Sequence, residues 1–275
     1  MVVNAPGERR YPVEAGFPVL LTSASSPATA AVIDAFRSRS VTYFGDNYSC
    51  GQNAERAARQ QRVTELLEQL VGADSVVLEA GSGPAVLGET LRSTAGTYVA
   101  LDLSLHNLLA ARNRIGEFAG VVGDLTALPI ADKAFDGTLA IGCLEYVPDL
   151  EAAVNELCRA TTPGGFILAT FANADSPRRR WDEAVTHRVS RLRRRRRGEG
   201  RSIYRRQLIS DRRATELLER GGALVERIEP LNPGLLGYPL SRSGRVHRAE
   251  ERLASRFAPV RARASELLVL ARKPY

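Results

Sequence analysis

Cysteine is scarce, lysine scarcer still, and no apolar run is long. The 275 residues hold three cysteines, Cys50, Cys143 and Cys158, too few and too scattered for a disulfide framework. No Cys-x-x-Cys and no histidine pair offers a metal site, so no metal is expected. No stretch approaches the ~20 consecutive apolar residues needed to span a bilayer. Met1 to Arg10 lacks the apolar centre of a secretion signal, which makes the cytoplasm the expected compartment. Of the 38 basic residues only Lys133 and Lys273 are lysines, leaving 36 arginines. That imbalance, with abundant alanine, matches GC-rich codon use, so part of the +7 net charge is genomic habit. The excess is also local, concentrated between Arg178 and Arg213. A 44% hydrophobic share is ordinary for a folding domain, and no internal repeat is present.

What is there centres on residues 75–88. An apolar run ending in Glu79 breaks into Gly81-Ser-Gly83-Pro-Ala85, which reads as a buried strand entering a tight turn, with a helix from about Ala85. Gly81 and Gly83 allow positive φ and close backbone approach to a ligand, and free N–H groups at a helix start face the same place. Twenty residues on, Tyr98-Val-Ala-Leu-Asp102 ends a second strand in an acid, the placement of a carboxylate that accepts from ribose hydroxyls. A dinucleotide site and another adenosine cofactor both suit these two motifs.

Strand and helix patterns alternate around this centre. Strands are expected at 75–79, 97–102, 120–122, 136–141 and 166–171. Helices are expected at 53–71, with Val63, Leu66, Leu67 and Leu70 on one face, and at 85–93, 105–114 and 149–161. A helix over 210–221, a strand over 223–228, a helix over 245–257 and a strand over 265–271 complete the chain. The class is α/β: a Rossmann-like doubly wound, mostly parallel seven-stranded sheet with its last strand antiparallel, plus an N-terminal arm and a helical cap insertion. The division expected is 1–51 arm and lid, 52–174 cofactor-binding core, 175–207 arginine-rich cap, and 208–275 completion of the sheet. Trp181 recurs at helical spacing with Val185, Val189 and Leu192, as an anchor of the inserted helix would.

Taken together, Leu78-Glu-Ala-Gly-Ser-Gly, Leu101-Asp-Leu-Ser, Gly123-Asp-Leu-Thr-Ala-Leu-Pro-Ile, Ala134-Phe-Asp-Gly, Tyr146-Val-Pro-Asp and Thr162-Pro-Gly-Gly-Phe resemble the class I S-adenosylmethionine-dependent methyltransferases. The likeness is to the small-molecule branch of quinone-biosynthesis and natural-product tailoring enzymes, and covers residues 40–172 well. It implies S-adenosylmethionine as cofactor. Glu79, Gly81 and Gly83 would then frame the methionine end, and Asp102 would hold the ribose. Leu103 and Leu125 would sandwich the adenine, Asp124 would accept its amino group, and Ile141 and Gly142 would give backbone contacts to the methionine amine. A dinucleotide enzyme explains neither Gly123-Asp124 nor Pro163-Gly164-Gly165, and would want a third glycine at Ala85. Tyr43 and Tyr48 stand where such enzymes commonly have a lid over the cofactor; packing of the N-terminal arm is the other reading of these aromatics. Tyr11 to Leu21 resembles the tail of a small zinc-ribbon subunit that activates certain RNA methyltransferases; the ribbon cysteines are absent, so a short hairpin is all that is expected.

Many relatives carry His-His before Val-Pro-Asp, where this chain has Glu145-Tyr146. Glu145, Tyr146 and His187 are the candidate catalytic residues. Glu145 is a base if a dry pocket raises its pKa, or simply a helix-start acid. Methyl transfer asks mainly for alignment and exclusion of water, and a base is needed only for a hydroxyl of high pKa. The expected reaction is O-methylation of a small organic molecule, anionic or carrier-bound. The run Arg193 to Arg197 is a solvated helix face or a contact for an acidic carrier protein or another anionic surface; RNA ranks last, because no aromatics interleave with it. An RNA-modifying protein on the same fold and a cofactor-binding relative without transferase activity are the alternatives.

Overall fold

The computed structural model describes residues 11–21, 54–181, 184, 206–233 and 244–275. In chain order these form β1 (Val13–Glu14), β2 (Phe17–Pro18), α1 (Ala54–Leu70), β3 (Val76–Ala80), α2 (Gly88–Thr94), β4 (Thr97–Asp102), α3 (Leu105–Ile115), β5 (Ala119–Val122), β6 (Phe135–Ala140), α4 (Leu150–Ala160) and β7 (Thr161–Asn173). Then follow β8 (Leu208–Ile209), α5 (Asp211–Arg220), β9 (Leu224–Leu231), α6 (Gly244–Arg256), α7 (Ala258–Ala262) and β10 (Glu266–Arg272). The main sheet runs β5-β4-β3-β6-β7-β10-β9. Strand β10 lies antiparallel to both its neighbours, while β3, β4, β5, β6 and β7 pair in parallel. The seven strands and the antiparallel last one are as the sequence suggests. The two-residue β8, parallel to the end of β7, is an eighth strand that nothing in the sequence announced.

Helices cover both faces, because each strand of a parallel sheet is buried on both sides. Val63, Leu66 and Leu67 of α1, Leu91 of α2 and Leu108 of α3 pack on Val77, Leu139 and Leu168. On the other face Val154 and Leu157 of α4 and Leu217 and Leu218 of α5 pack on Leu78, Ile167 and Val269. Each such fully buried leucine contributes roughly 1.5–3 kcal/mol. The strand order reverses between β3 and β6, which opens a crevice at their carboxyl ends.

The expected hairpin is present and caps an edge. Ala15 and Gly16 both have positive φ (49° and 86°), the two-residue turn that matches strand twist. Phe17 is buried, its ring 5.6 Å from that of Phe118. It fills space that a side chain at Gly120 would need, since a Cβ there would lie 2.5 Å from the ring. Val19 then bridges Val122 in parallel, and Leu20 N donates to Val122 O at 2.8 Å, so part of the β5 edge is paired.

Some expectations need correction. Helix α2 starts at Gly88 and not at Ala85, because Ala85 itself has φ +50° and prolongs the turn. Strand β7 begins at Thr161 and not at 166, so Pro163-Gly164-Gly165 lies inside the strand. The register between β6 and β7 shifts there, and Phe166 packs where a side chain at Gly137 would sit. Trp181 is no anchor: it is 69% exposed, since Arg178 and Arg179 take the inward positions through ion pairs. Tyr43, Tyr48, Cys50, His187 and the run Arg193 to Arg197 lie outside the described residues.

Candidate functional site

The turn after β3 is shaped by three positive-φ residues, Gly81 (67°), Gly83 (55°) and Ala85 (50°). Gly81 is fixed twice over, because a Cβ there would also lie 2.6 Å from the Cys143 Cβ. Gly83 faces open space, with no heavy atom within 4 Å of where a Cβ would stand. Ser82 N donates to Leu101 O (3.0 Å), tying the turn to the end of β4. From α3, the Arg114 guanidinium donates to Pro84 O (3.2 Å) and to the Ala85 carbonyl, and pairs with Glu89 at 2.5 Å. Arg114 therefore clamps the turn from behind.

Two buried acids stand on either side of this turn and face differently. The Asp102 carboxylate accepts from Gly83 N (2.7 Å), Ser104 N (2.8 Å) and Asn107 Nδ2 (3.0 Å). Burial pushes its pKa up against those three donors. Glu79, expected to frame the methionine end, receives the Tyr98 hydroxyl at 2.5 Å. Burial pushes the Glu79 carboxyl up to about 7, opposed by Tyr98 and Arg114 and reinforced by Asp102.

The neighbouring loops converge on the same end of the sheet. Gly123 N donates to Asp102 O (3.1 Å). Asp124 Oδ1 accepts from Thr126 N (2.9 Å) and Thr126 Oγ1 (2.8 Å), which closes the loop after β5. Leu125 is buried and Leu103 half-buried, one from each loop. After β6, half-buried Ile141 leads into Gly142, whose φ is +70° and whose N–H donates to Thr170 Oγ1 at 2.7 Å. Cys143 follows; enclosure beside Asp102 and Glu79 pushes its thiol up to about 12, so it stays protonated.

Beyond Gly142 the character changes to ion pairs. A Cβ on Gly142 would lie 3.0 Å from the Arg59 guanidinium. Arg59 Nη1 donates to both Glu266 oxygens at 3.1 Å. Glu266 also accepts from Arg179 Nη2 (2.9 Å) and Asn232 Nδ2 (3.3 Å). Arg179 reaches on to Glu145, 3.3 Å away, and Arg178 pairs with Glu55 of α1. The 3-10 turn Leu144–Tyr146 carries Glu145 and Tyr146, and the Arg206 guanidinium lies 5.6 Å over the Tyr146 ring. Gln207 N donates to Glu145 O (2.9 Å), so the chain returning to β8 rests on this loop.

The structure thus brings Gly81, Gly83, Asp102, Leu103, Asp124, Leu125, Ile141, Gly142, Glu145 and Tyr146 to one end of the sheet, with Glu79 turned beneath it. Sequence reasoning missed Arg59, Arg114, Arg179 and Glu266. A signal existed for two of them: Arg59 lies one turn before Val63 on the apolar stripe of α1, and Glu266 heads the apolar run Leu267-Leu-Val-Leu-Ala271. An ionisable residue on a buried stripe needs a partner.

Residues 78–169 match the family model described as a methyltransferase domain. Over 100 residues the chain is 36% identical to a malonyl-[acyl-carrier protein] O-methyltransferase of Erwinia billingiae, a match covering 36% of this chain and 40% of that protein. It is 32% identical over 112 residues to a demethylmenaquinone methyltransferase of Tropheryma whipplei, covering 40% and 46%. The matches thus span less than half the length of these curated relatives. The fold resembles that of the Burkholderia thailandensis 1,6-didemethyltoxoflavin-N1-methyltransferase, solved with bound S-adenosylhomocysteine, at a TM-score of 0.58 and 17% identity over 92% of this chain and 93% of that one. Residues 78–169 are accordingly similar to a methyltransferase domain.

Proposed function

We propose that this chain transfers the methyl group of S-adenosylmethionine to a carboxylate oxygen of a small organic acid borne on a carrier protein, as a step in a biosynthetic pathway. S-adenosylmethionine supplies an electrophilic methyl on sulfur. The cradle suits it in two respects. Gly83 borders open space, and Asp102, with three donors on a carboxylate that offers about four acceptor positions, keeps room for a ribose hydroxyl. Asp102 is assigned the ribose, Leu103 and Leu125 the adenine faces, Asp124 the adenine amino group, and Gly81 and the backbone at Ile141 and Gly142 the methionine end. Glu79 is assigned a place under the turn, on Tyr98.

The observation that carries the acceptor class is the ion-pair system next to Gly142. Arg59 flanks that glycine, and Arg179 is one carboxylate away. A guanidinium carries five N–H donors, so one that already holds Glu266 can still share itself with the carboxylate of an acid acceptor. The carboxylate of Glu145, the candidate base, is engaged by Arg179. An acid acceptor is already a nucleophilic anion and needs no base, so alignment and exclusion of water are sufficient. The likeness to a malonyl-[acyl-carrier protein] O-methyltransferase supports the same acceptor class. The likeness to a demethylmenaquinone methyltransferase supports a second reading, a quinone-type acceptor.

The test uses S-adenosylmethionine labelled in the methyl group, with malonyl-[acyl-carrier protein], demethylmenaquinone and bulk RNA in separate reactions. Label on the carrier that mild alkali releases as methanol marks an ester and is the expected result. Alkali-stable label on demethylmenaquinone or on RNA, with none on the carrier, would refute the carrier-acid reading.

A further inference from the structure

Two segments leave the main sheet and return to it at the same end. The chain departs at Asn173, the end of β7, and comes back at Leu208, which pairs with Ala172. It departs again at Leu231, the end of β9, and returns at Glu266, which pairs with both Leu231 and Ala172. Both excursions therefore spring from the carboxyl end of the parallel strands, where Gly81, Asp102 and Gly142 lie. Residues 174–207 and 232–265 together contain 20 arginines and 6 acids; the rest of the chain contains 18 basic residues and 25 acids. These two segments, which leave and rejoin the sheet at that end, thus carry a net +14 and everything else −7. A composition bias spread over the whole chain does not produce such a split.

Within the second excursion, α6 shows how the charge is presented. Val246, Glu250 and Ala254, at spacings of four, face inward, with Glu250 and Ala254 buried. Arg245, Arg248, Arg252 and Arg256, at spacings of three and four, form an exposed stripe on the opposite side. Leu253 and Phe257 are exposed at its flank and end, 39% and 53%. At 1.5 Å per residue the stripe is roughly 16 Å long, the length of three turns of a partner helix. Its apolar side is committed to the protein, against α1 and α7, and so is not available for insertion in a bilayer. No Phe, Tyr or Trp lies between its arginines to stack on bases.

We infer that the outward face of α6, with Leu253 and Phe257 beside it, is the docking surface for an acidic carrier protein, whose helix of carboxylates aligns on the arginine stripe and delivers the acceptor into the adjacent site. This rests on the proposed carrier-borne acceptor. Charge does the steering and sets orientation, while Leu253 and Phe257 supply the apolar contact.

The experiment compares the full chain with its R245E/R248E/R256E variant. Two acceptors carry the same acyl group: malonyl-[acyl-carrier protein] and malonyl-pantetheine, which lacks the protein. The expected outcome is a KM for the carrier-borne acceptor raised on the order of tenfold, with kcat and the malonyl-pantetheine reaction unchanged. Added salt should raise the wild-type KM for the carrier and leave the variant's nearly constant. R245Q/R248Q/R256Q, which removes charge without reversing it, should give a smaller rise in the same direction. An equal loss on both acceptors, or no loss on either, would overturn the docking surface while leaving the acceptor reading intact. Turnover of neither malonyl compound by the wild type would overturn both. Retention of the wild type but not the variant on phosphatidylglycerol vesicles, with the carrier KM the same for both, would assign the stripe to a membrane and overturn the proposal.

Discussion

The two halves of the ligand end are held together by different physics. Around the turn after β3, backbone N–H groups, carbonyls and one carboxylate, Asp102, close the cradle over short sequence distances. Beyond Gly142, charged side chains from α1, the segment after β7, the 3-10 turn and β10 meet from positions up to 207 residues apart. Each half has a buried glutamate, and the two titrate in opposite senses. At Glu79 burial outweighs the hydrogen bond from Tyr98 and the charge of Arg114, and raises the carboxyl to about 7. For Glu266 burial acts in the same direction, but Arg59 and Arg179 overcome it and hold the carboxyl below its ordinary value. Where burial dominates, as at Glu79, the acid is held partly protonated; where two guanidiniums meet it, as at Glu266, it is held charged.

The sharpest way to break this contrast is Glu266→Ala. Arg59 and Arg179, both about a tenth exposed at the side chain, would lose the carboxylate they share. Removing one member of a buried ion-pair system costs about 3–5 kcal/mol. Urea unfolding should register a loss of that size at pH 7, and a loss below about 1 kcal/mol would show that the network is not integral to the fold.

The next effect is one of sign. Because Glu79 has a raised pKa when folded, its contribution to stability is full below the unfolded value of 4.5 and is lost as pH rises through about 7. The span is roughly 3 kcal/mol at one pKa unit per 1.36 kcal/mol. Glu79→Gln should therefore gain on the wild type by about that amount between pH 4 and pH 8. Glu266, with a lowered pKa, contributes above the unfolded value of 4.5 and loses its contribution as pH falls through the lowered folded value. Glu266→Gln should be less acid-sensitive than the wild type. Parallel pH profiles for the two variants would sink the comparison.

Of intermediate size is Asp102→Ala. Calorimetry with S-adenosylmethionine should show affinity reduced by about 1.5–3 kcal/mol, the worth of a hydrogen bond to a charged group. Unchanged affinity would remove Asp102 from the ribose.

The same division explains what could be read from the sequence. The cradle was legible because its determinants are local: Gly81 and Gly83 fall between an apolar strand and a helix, and Asp102 ends the next strand. Where Ala85 takes a left-handed backbone the local reading misplaced the helix start by three residues, since an alanine gives no sign of positive φ. Pro163-Gly164-Gly165 falls between the helix and the strand expected from the sequence, yet pairing with β6 and the fit of Phe166 over Gly137 draw it into β7. The ion-paired half was hidden by its own composition. Among 36 arginines, nothing in the immediate neighbours of Arg179 says that it, and not Arg180, turns inward to Glu145 and Glu266. The charge split was half visible: the first segment stood out as a run, but the second joins it only when β9 and β10 bring both to one end of the sheet.

The smallest effects lie within the cradle, in a pair of glycine substitutions. Gly83→Ala places a methyl in open space, so its cost is the left-handed backbone alone, about 1–2 kcal/mol. Gly81→Ala bears the same backbone cost and also drives a methyl to 2.6 Å from the Cys143 Cβ, which forces the loop after β6 to move. Its loss should exceed that of Gly83→Ala, and Cys143→Ala, which keeps the Cβ but removes the sulfur 2.8 Å from that methyl, should recover only part of the difference. Gly83→Ala should instead report on ligand binding, since its methyl enters the space assigned to the cofactor while the N–H still reaches Asp102. The two variants separate what the turn needs to fold from what it needs to bind: equal unfolding midpoints with equal loss of S-adenosylmethionine affinity would mean that Cys143 imposes no constraint on the turn.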